Sequence, residues 1–244
     1  MKISGGSYIF TIKLLPALVF LLLLSLTVSL GYWQLNRADE KTQFLELRAL
    51  RAKAKPLLLS ANSAEMLNEM DYRPVLVRGK YDNQHQFLID NQIVNGKVGF
   101  FVMTPFIIEK SNKAVLVNRG WVAAYSSRSI LPNIEFLAKQ TELSGHINHF
   151  PSIGLKLAGA EIPTEGWPAV VQVAETQALV KRLGYPLFGF QLLLNENQAD
   201  GYHRQWRQLA IMPPEKHIAY AVQWFGLAIT LIILFLWLAG EKQQ

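Results

Sequence analysis

Two long apolar runs bracket the chain, and between them hydrophobic positions recur in short stretches broken by polar turns. Residues 14–33 form a run of 20 without a charge, and residues 217–239 a run of 23 without Asp, Glu, Lys or Arg. A helix rises about 1.5 Å per residue and the hydrocarbon core of a bilayer is about 30 Å thick, so each run is long enough to cross it. Trp33 closes the first run. Tyr220, Trp224 and Trp237 lie toward the ends of the second, where amphipathic rings suit the headgroup layer. A cleaved signal peptide is the competing reading of the first run, with Thr27-Val28-Ser29 as its small residues. The apolar stretch exceeds the usual length, however, and no A-x-A site follows, which favours an uncleaved anchor.

No Gly or Pro occurs between Tyr32 and Lys55, so the first helix is expected to outrun its apolar part and stop before Pro56. Strands are then expected at 75–77, 86–91, 98–108, 114–122, 143–148, 169–174, 190–195 and 205–211. The pair Asn95-Gly96 marks a hairpin, because both residues tolerate positive φ. A short helix is expected at 175–183, ended by Gly184. The fold class is α+β: two transmembrane helices flanking a mainly antiparallel β-sheet domain with few helices and no βαβ alternation. The divisions are a tail at 1–13, a first span at 14–33, a domain at 34–216, a second span at 217–239 and a tail at 240–244.

Composition narrows the chemistry. Of 244 residues half are hydrophobic and 17% charged, which excludes a disordered tail or a charged coiled coil. With no Cys there is no disulfide, thiolate zinc site, thiol nucleophile, iron–sulfur cluster or covalently attached haem. The formal charge of +6 is scattered and no nucleic-acid-binding module is visible, so nucleic acid is not an expected partner. Nucleotide-binding, hydrolase and metalloprotease motifs are missing, and a non-enzymatic role is expected. His146 and His149 read as surface residues pointing to opposite faces, and His85 and His203 as solvated.

His217 differs, because it heads the second apolar run, where a polar ring is costly unless it faces protein, water or a ligand. At 100° per residue Ala221, Trp224 and Ala228 fall within about 40° of its direction and Tyr220 about 60° to one side. An imidazole with small residues and an indole below it suits a planar apolar ligand bearing a metal, such as haem. The plain alternative is an interfacial histidine reaching headgroups, with the alanines packing on the first helix. If both runs span, Trp33, Gln34, Arg37 and Lys41 share a level with Lys216, His217, Tyr220 and Gln223. Gln34 and Gln223 then need partners, each other or a ligand, and Arg37 and Lys216 can grip carboxylates such as propionates. Phospholipid headgroups would occupy the same cations. Six basic residues near the runs (Arg37, Lys41, Arg48, Arg204, Arg207 and Lys216) lie in the central segment, against Lys2, Lys13 and Lys242 in the tails. Long loops escape the positive-inside rule, so charge leaves orientation open.

Gly31-Tyr32-Trp33-Gln34-Leu35-Asn36-Arg37 with Lys41 closely resembles the first-span signature of the Surfeit locus protein family (Surf-one, or Shy-one in yeast). The resemblance runs on through Tyr72-Arg73-Pro74-Val75, Gly79-Lys80-Tyr81-Asp82, Asp90-Asn91-Gln92, Gly99-Phe100 and Thr104-Pro105-Phe106. It continues in Val117-Asn118-Arg119-Gly120-Trp121 and in the block from His217 to Phe225, and is weakest over 123–165. It implies a cytochrome c oxidase assembly factor, with both tails inside and the domain on the outer, periplasmic face of a bacterial inner membrane. The short N-terminal tail has no Arg-rich presequence, which favours a bacterial over a mitochondrial member. The implied ligand is haem a, held transiently while it is placed in the catalytic subunit, with His217 on the iron. On the hypothesis of such a site here, Trp33 and Trp224 would pack the macrocycle and Arg37 and Lys216 would face propionates, with Tyr220 and Gln34 counted among the binding residues. Implied partners are the oxidase catalytic subunit, the haem a synthesis machinery and the bilayer. A haem-free scaffold for an immature oxidase subunit is the alternative, and a membrane-anchored enzyme the third class.

Overall fold

The computed structural model describes residues 2–5, 8–11, 13–63, 71–127, 129–136, 141–151, 157–206 and 212–242. In chain order the elements are β1 (Lys2–Gly5), β2 (Tyr8–Thr11), α1 (Leu14–Ala52), β3 (Leu57–Leu59), β4 (Pro74–Tyr81), β5 (Phe87–Val94), β6 (Lys97–Ile108) and β7 (Ala114–Ala123). There follow β8 (Glu142–Asn148), β9 (Ala169–Val171), α2 (Thr176–Leu183), β10 (Leu187–Leu194), α3 (Pro214–Ala239) and β11 (Gly240–Lys242). Two compact units result, residues 1–47 with 208–244 and residues 48–207.

In the first unit α1 and α3 are both long and apolar enough to cross a membrane. Helix α1 is 39 residues long, about 58 Å, and runs through the end of its apolar part as expected; Pro16 is tolerated because it lies in the first turn. Its less exposed positions include 17, 20, 24, 27, 31, 34 and 38, a spacing of three and four. On α3 the corresponding positions include 214, 217, 221, 224, 228, 231, 235 and 239, with 225 beside them. Such a stripe packs one helix along another. Phe20 stacks on Phe235 with ring centroids 4.1 Å apart, and Tyr32 meets Phe225 edge-on at 5.6 Å. The numbers rise on one helix as they fall on the other, so the pair is an antiparallel hairpin. Gly31 sets the approach: a Cβ there would lie 2.7 Å from the Phe225 ring. The chain ends pair as a small antiparallel sheet in the order β1-β2-β11. Strands this short, joined from opposite ends of the sequence, leave no hydropathy signal.

The second unit holds the other eight strands. Five of them close on themselves: β4 pairs with β8, β8 with β10, β10 with β7, β7 with β6, and β6 returns to β4. Closure removes the free edges that an open sheet would expose. Alternate residues of each strand fill the barrel, among them Val75, Val77 and Tyr81 of β4, Phe106 and Ile108 of β6, Val115 and Val117 of β7, and Phe188, Phe190, Leu192 and Leu194 of β10. Gly79 makes the seam, since a Cβ there would run into the Ile107 carbonyl of β6. Strand β6 pairs with β5 over its first part and with β4 only from Phe106 onward. Pro105 sits at that change of partner, where a missing N–H costs no ladder bond.

A second core lies outside the barrel, where Leu179 of α2 meets Phe87, Ile89, Met103, Ala114, Leu116 and Leu187. Strand β7 is therefore buried on both faces, which explains its unbroken apolar start. The sheet is mainly antiparallel as expected, but three pairs are parallel: β3–β4, β5–β9 and β7–β10. One strand–helix–strand unit, β9-α2-β10, follows the strands and helix expected there. Strand β3 was not expected. Of the strand expected at 205–211, Gln205 and Trp206 form none, and 207–211 lie outside the described residues.

Candidate functional site

In the hairpin, α1 brings Gln34 to His217 of α3, and His217 Nδ1 lies 2.8 Å from Gln34 Oε1. An amide oxygen only accepts, so in this contact Nδ1 is the donor, and a ring carrying one proton would keep the lone pair on Nε2. The ring thus faces the helical partner on one side, and it is half-buried. Below it Ala221 and Ala228 are buried and Trp224 is half-buried. Of the two glutamines that needed partners, Gln34 finds His217, and Gln223 is exposed.

Helical geometry sorts the remaining candidates. Measured from the packing stripe at about 100° per residue, Gln34, Arg37 and Trp33 lie progressively round one side of α1; His217, Trp224 and Tyr220 lie round one side of α3. Because the helices are antiparallel these are the same flank of the hairpin. Tyr32 and Phe225, which touch, mark the opposite flank. Trp33 and Tyr220 are 50% and 44% exposed, so the flank is open. Arg37 is engaged by its own helix, bonded to Glu40 Oε2 at 2.6 Å and with its guanidinium 5.9 Å from the Trp33 ring. An exposed pair of this kind contributes little, and the guanidinium can be drawn off it. Lys216 is exposed.

The barrel unit holds polar groups of another kind. Arg119, 1% exposed, gives Nη1 to Gln86 Oε1 at 3.0 Å and Nε to the Asp200 carbonyl at 2.7 Å. Its guanidinium stacks 3.4 Å from the centroid of Phe136 and 5.0 Å from that of Tyr202. Burial lowers its pKa, and burial raises that of Tyr81. Gln86 Oε1 also accepts from Thr104 at 2.8 Å, and Asn118 bonds Gln191 at 2.9 Å. These groups lock loops to strands. A charge inside the apolar run of β7 was the signal for Arg119, which the sequence reading left without a role.

The histidines divide. His85 is not merely solvated: Nδ1 is 2.7 Å from Asp82 Oδ2, which also accepts from the Tyr185 hydroxyl at 2.8 Å. The spacing Asp82-x-x-His85 was the missed sign. His149 Nε2 is 3.8 Å from Asp71 Oδ2, and burial holds the Asp71 carboxyl above its ordinary range despite His149 and the nearby arginines. His146 lies half-buried in β8, and His203 is exposed. Among the described residues no three His, Cys, Asp or Glu are grouped to hold a metal ion. A concavity of about 610 Å³ at the barrel seam is lined by Arg78, Lys80, Ile107, Glu109, Lys110 and Glu142, without an imidazole.

The architecture is a β-barrel inserted in sequence between two apolar helices, with one imidazole held where the helices meet. The SURF1 family model matches residues 21–229, and the chain belongs to that family. Among its relatives, a SURF1-like protein of Rickettsia conorii is 30% identical over 234 residues, covering 88% of each chain. Surfeit locus protein 1 of Rattus norvegicus is 24% identical over 225 residues, 85% of this chain and 71% of the rat protein. A Saccharomyces cerevisiae relative named cytochrome oxidase assembly protein SHY1 is 28% identical over 95 residues, 38% of this chain and 24% of the yeast protein.

Proposed function

We propose that the chain is an assembly factor for cytochrome c oxidase that takes newly made haem a on one flank of its helical hairpin and yields it to the catalytic subunit. The helices would span a bacterial inner membrane with the barrel on the periplasmic side. The yeast relative's name supports the oxidase link. The observation that carries the haem reading is the His217–Gln34 contact, which turns the ring toward α1 and engages Nδ1, so that Nε2 is the nitrogen left for a ligand.

The donor set fits an iron porphyrin. Neutral imidazole is a common iron ligand, Trp33, Tyr220 and Trp224 offer flat apolar area, and Arg37 and Lys216 supply positive charge for propionates. When bound, the cargo supplies an iron that accepts one nitrogen lone pair. His217 holds it, the three rings shield its face, and Arg37 exchanges Glu40 for a propionate. Release requires modest affinity, and a single protein ligand on an open flank provides it. The barrel serves as the surface that docks on the oxidase. Nothing in this sequence of events requires the chain to make or break a covalent bond.

Purified from cells that make haem a, the protein is expected to carry that pigment's absorption spectrum. A colourless protein from the same cells, still cross-linking to the oxidase, would leave the haem-free scaffold.

A further inference from the structure

We infer that Gln34 is a positioning residue whose task is to fix the tautomer and direction of His217, so that Nε2 is the nitrogen offered to iron. The inference deepens the haem reading and rests on it. A free neutral imidazole tends to carry its proton on Nε2, the nitrogen a ligand on the open flank would need. The contact from Nδ1 to Gln34 Oε1, at 2.8 Å, reverses that preference. Gln34 is held for the purpose: it sits on the packing stripe of α1, one turn beyond Gly31, whose missing side chain admits Phe225 and sets the helix separation. Partners that hold the second nitrogen of a ligating histidine commonly contribute about 10- to 100-fold in metal affinity. Gln34 therefore acts through His217 and need not touch the ligand.

The test uses the full chain in detergent, labelled with ¹⁵N-histidine and recorded at about pH 8, with His217 assigned by the signal that His217→Ala removes. Wild type is expected to show the proton on Nδ1. Gln34→Leu should move it to Nε2 or to a mixture and weaken binding of added haem a about 10- to 100-fold. Gln34→Glu, whose carboxylate accepts the same proton, should restore both. A His217 proton on Nε2 in wild type, or an unchanged spectrum in Gln34→Leu, overturns the inference and leaves haem capture by His217 standing. A shifted proton with undiminished haem a affinity overturns the positioning role alone. If His217→Ala binds haem a as wild type does, His217 is not the ligand and the inference falls with it, whereas a wild type that binds no haem a removes the carrier reading itself.

Discussion

The barrel buries a full charge and answers it on several sides, whereas the hairpin leaves an imidazole half-open and holds it by one nitrogen. Arg119 has Gln86, the Asp200 carbonyl and two aromatic faces around it. His217 has Gln34 on one side and an open flank on the other. A fully satisfied polar group rigidifies a fold, and a group with one valence unused can do chemistry.

The widest break in that contrast should come from Arg119→Met. It takes the guanidinium donor from the Asp200 carbonyl, leaves Gln86 Oε1 with Thr104 alone and removes both aromatic contacts, and should cost about 2–4 kcal/mol, read as an early thermal transition of the full chain. Gly31→Leu comes next. Its side chain has no place beside the Phe225 ring, and overpacking of about 1–3 kcal/mol should part the helices while the barrel melts normally. Because the chain has no Cys, a short cross-linker between Phe20→Cys and Phe235→Cys reports that parting without background. Gln86→Leu, which removes one acceptor from Arg119 and one from Thr104, should cost the barrel about 1–3 kcal/mol and leave the cross-link intact.

The smallest effect is one of pH. Burial holds the His146 imidazole below its ordinary value of 6.5, so the unfolded chain takes up that proton at a higher pH than the folded one. The barrel should have this stability in full above about pH 6.5 and lose it as pH falls through that value toward the lower folded pKa. His146→Gln should flatten that part of the melting profile, and an equal slope in the variant would assign it to another group.

Much of this was legible beforehand, for stated reasons. The apolar runs, the Gly- and Pro-free stretch after Tyr32, Asn95-Gly96 and Gly184 are local signals, and α1, the β5–β6 hairpin and the end of α2 follow them. Barrel closure is not local. It rests on residues 79–81 meeting 106–108, and on β7 and β10, paired in parallel across a long stretch of chain. Gly79 and Pro105 hint at the seam only once the neighbours are known. Within the candidate site, His217 and the small residues beneath it were readable from helical period. That Gln34 and not Gln223 meets the ring depends on how the two helices turn toward each other. Arg37 was expected to face a propionate, and in the structure it holds Glu40.

The most direct test is a spectral titration of the full-length protein with haem a, wild type against His217→Ala. Saturable binding near one haem per chain in wild type, largely lost in the variant, is the predicted result; equal binding by the two proteins would contradict it.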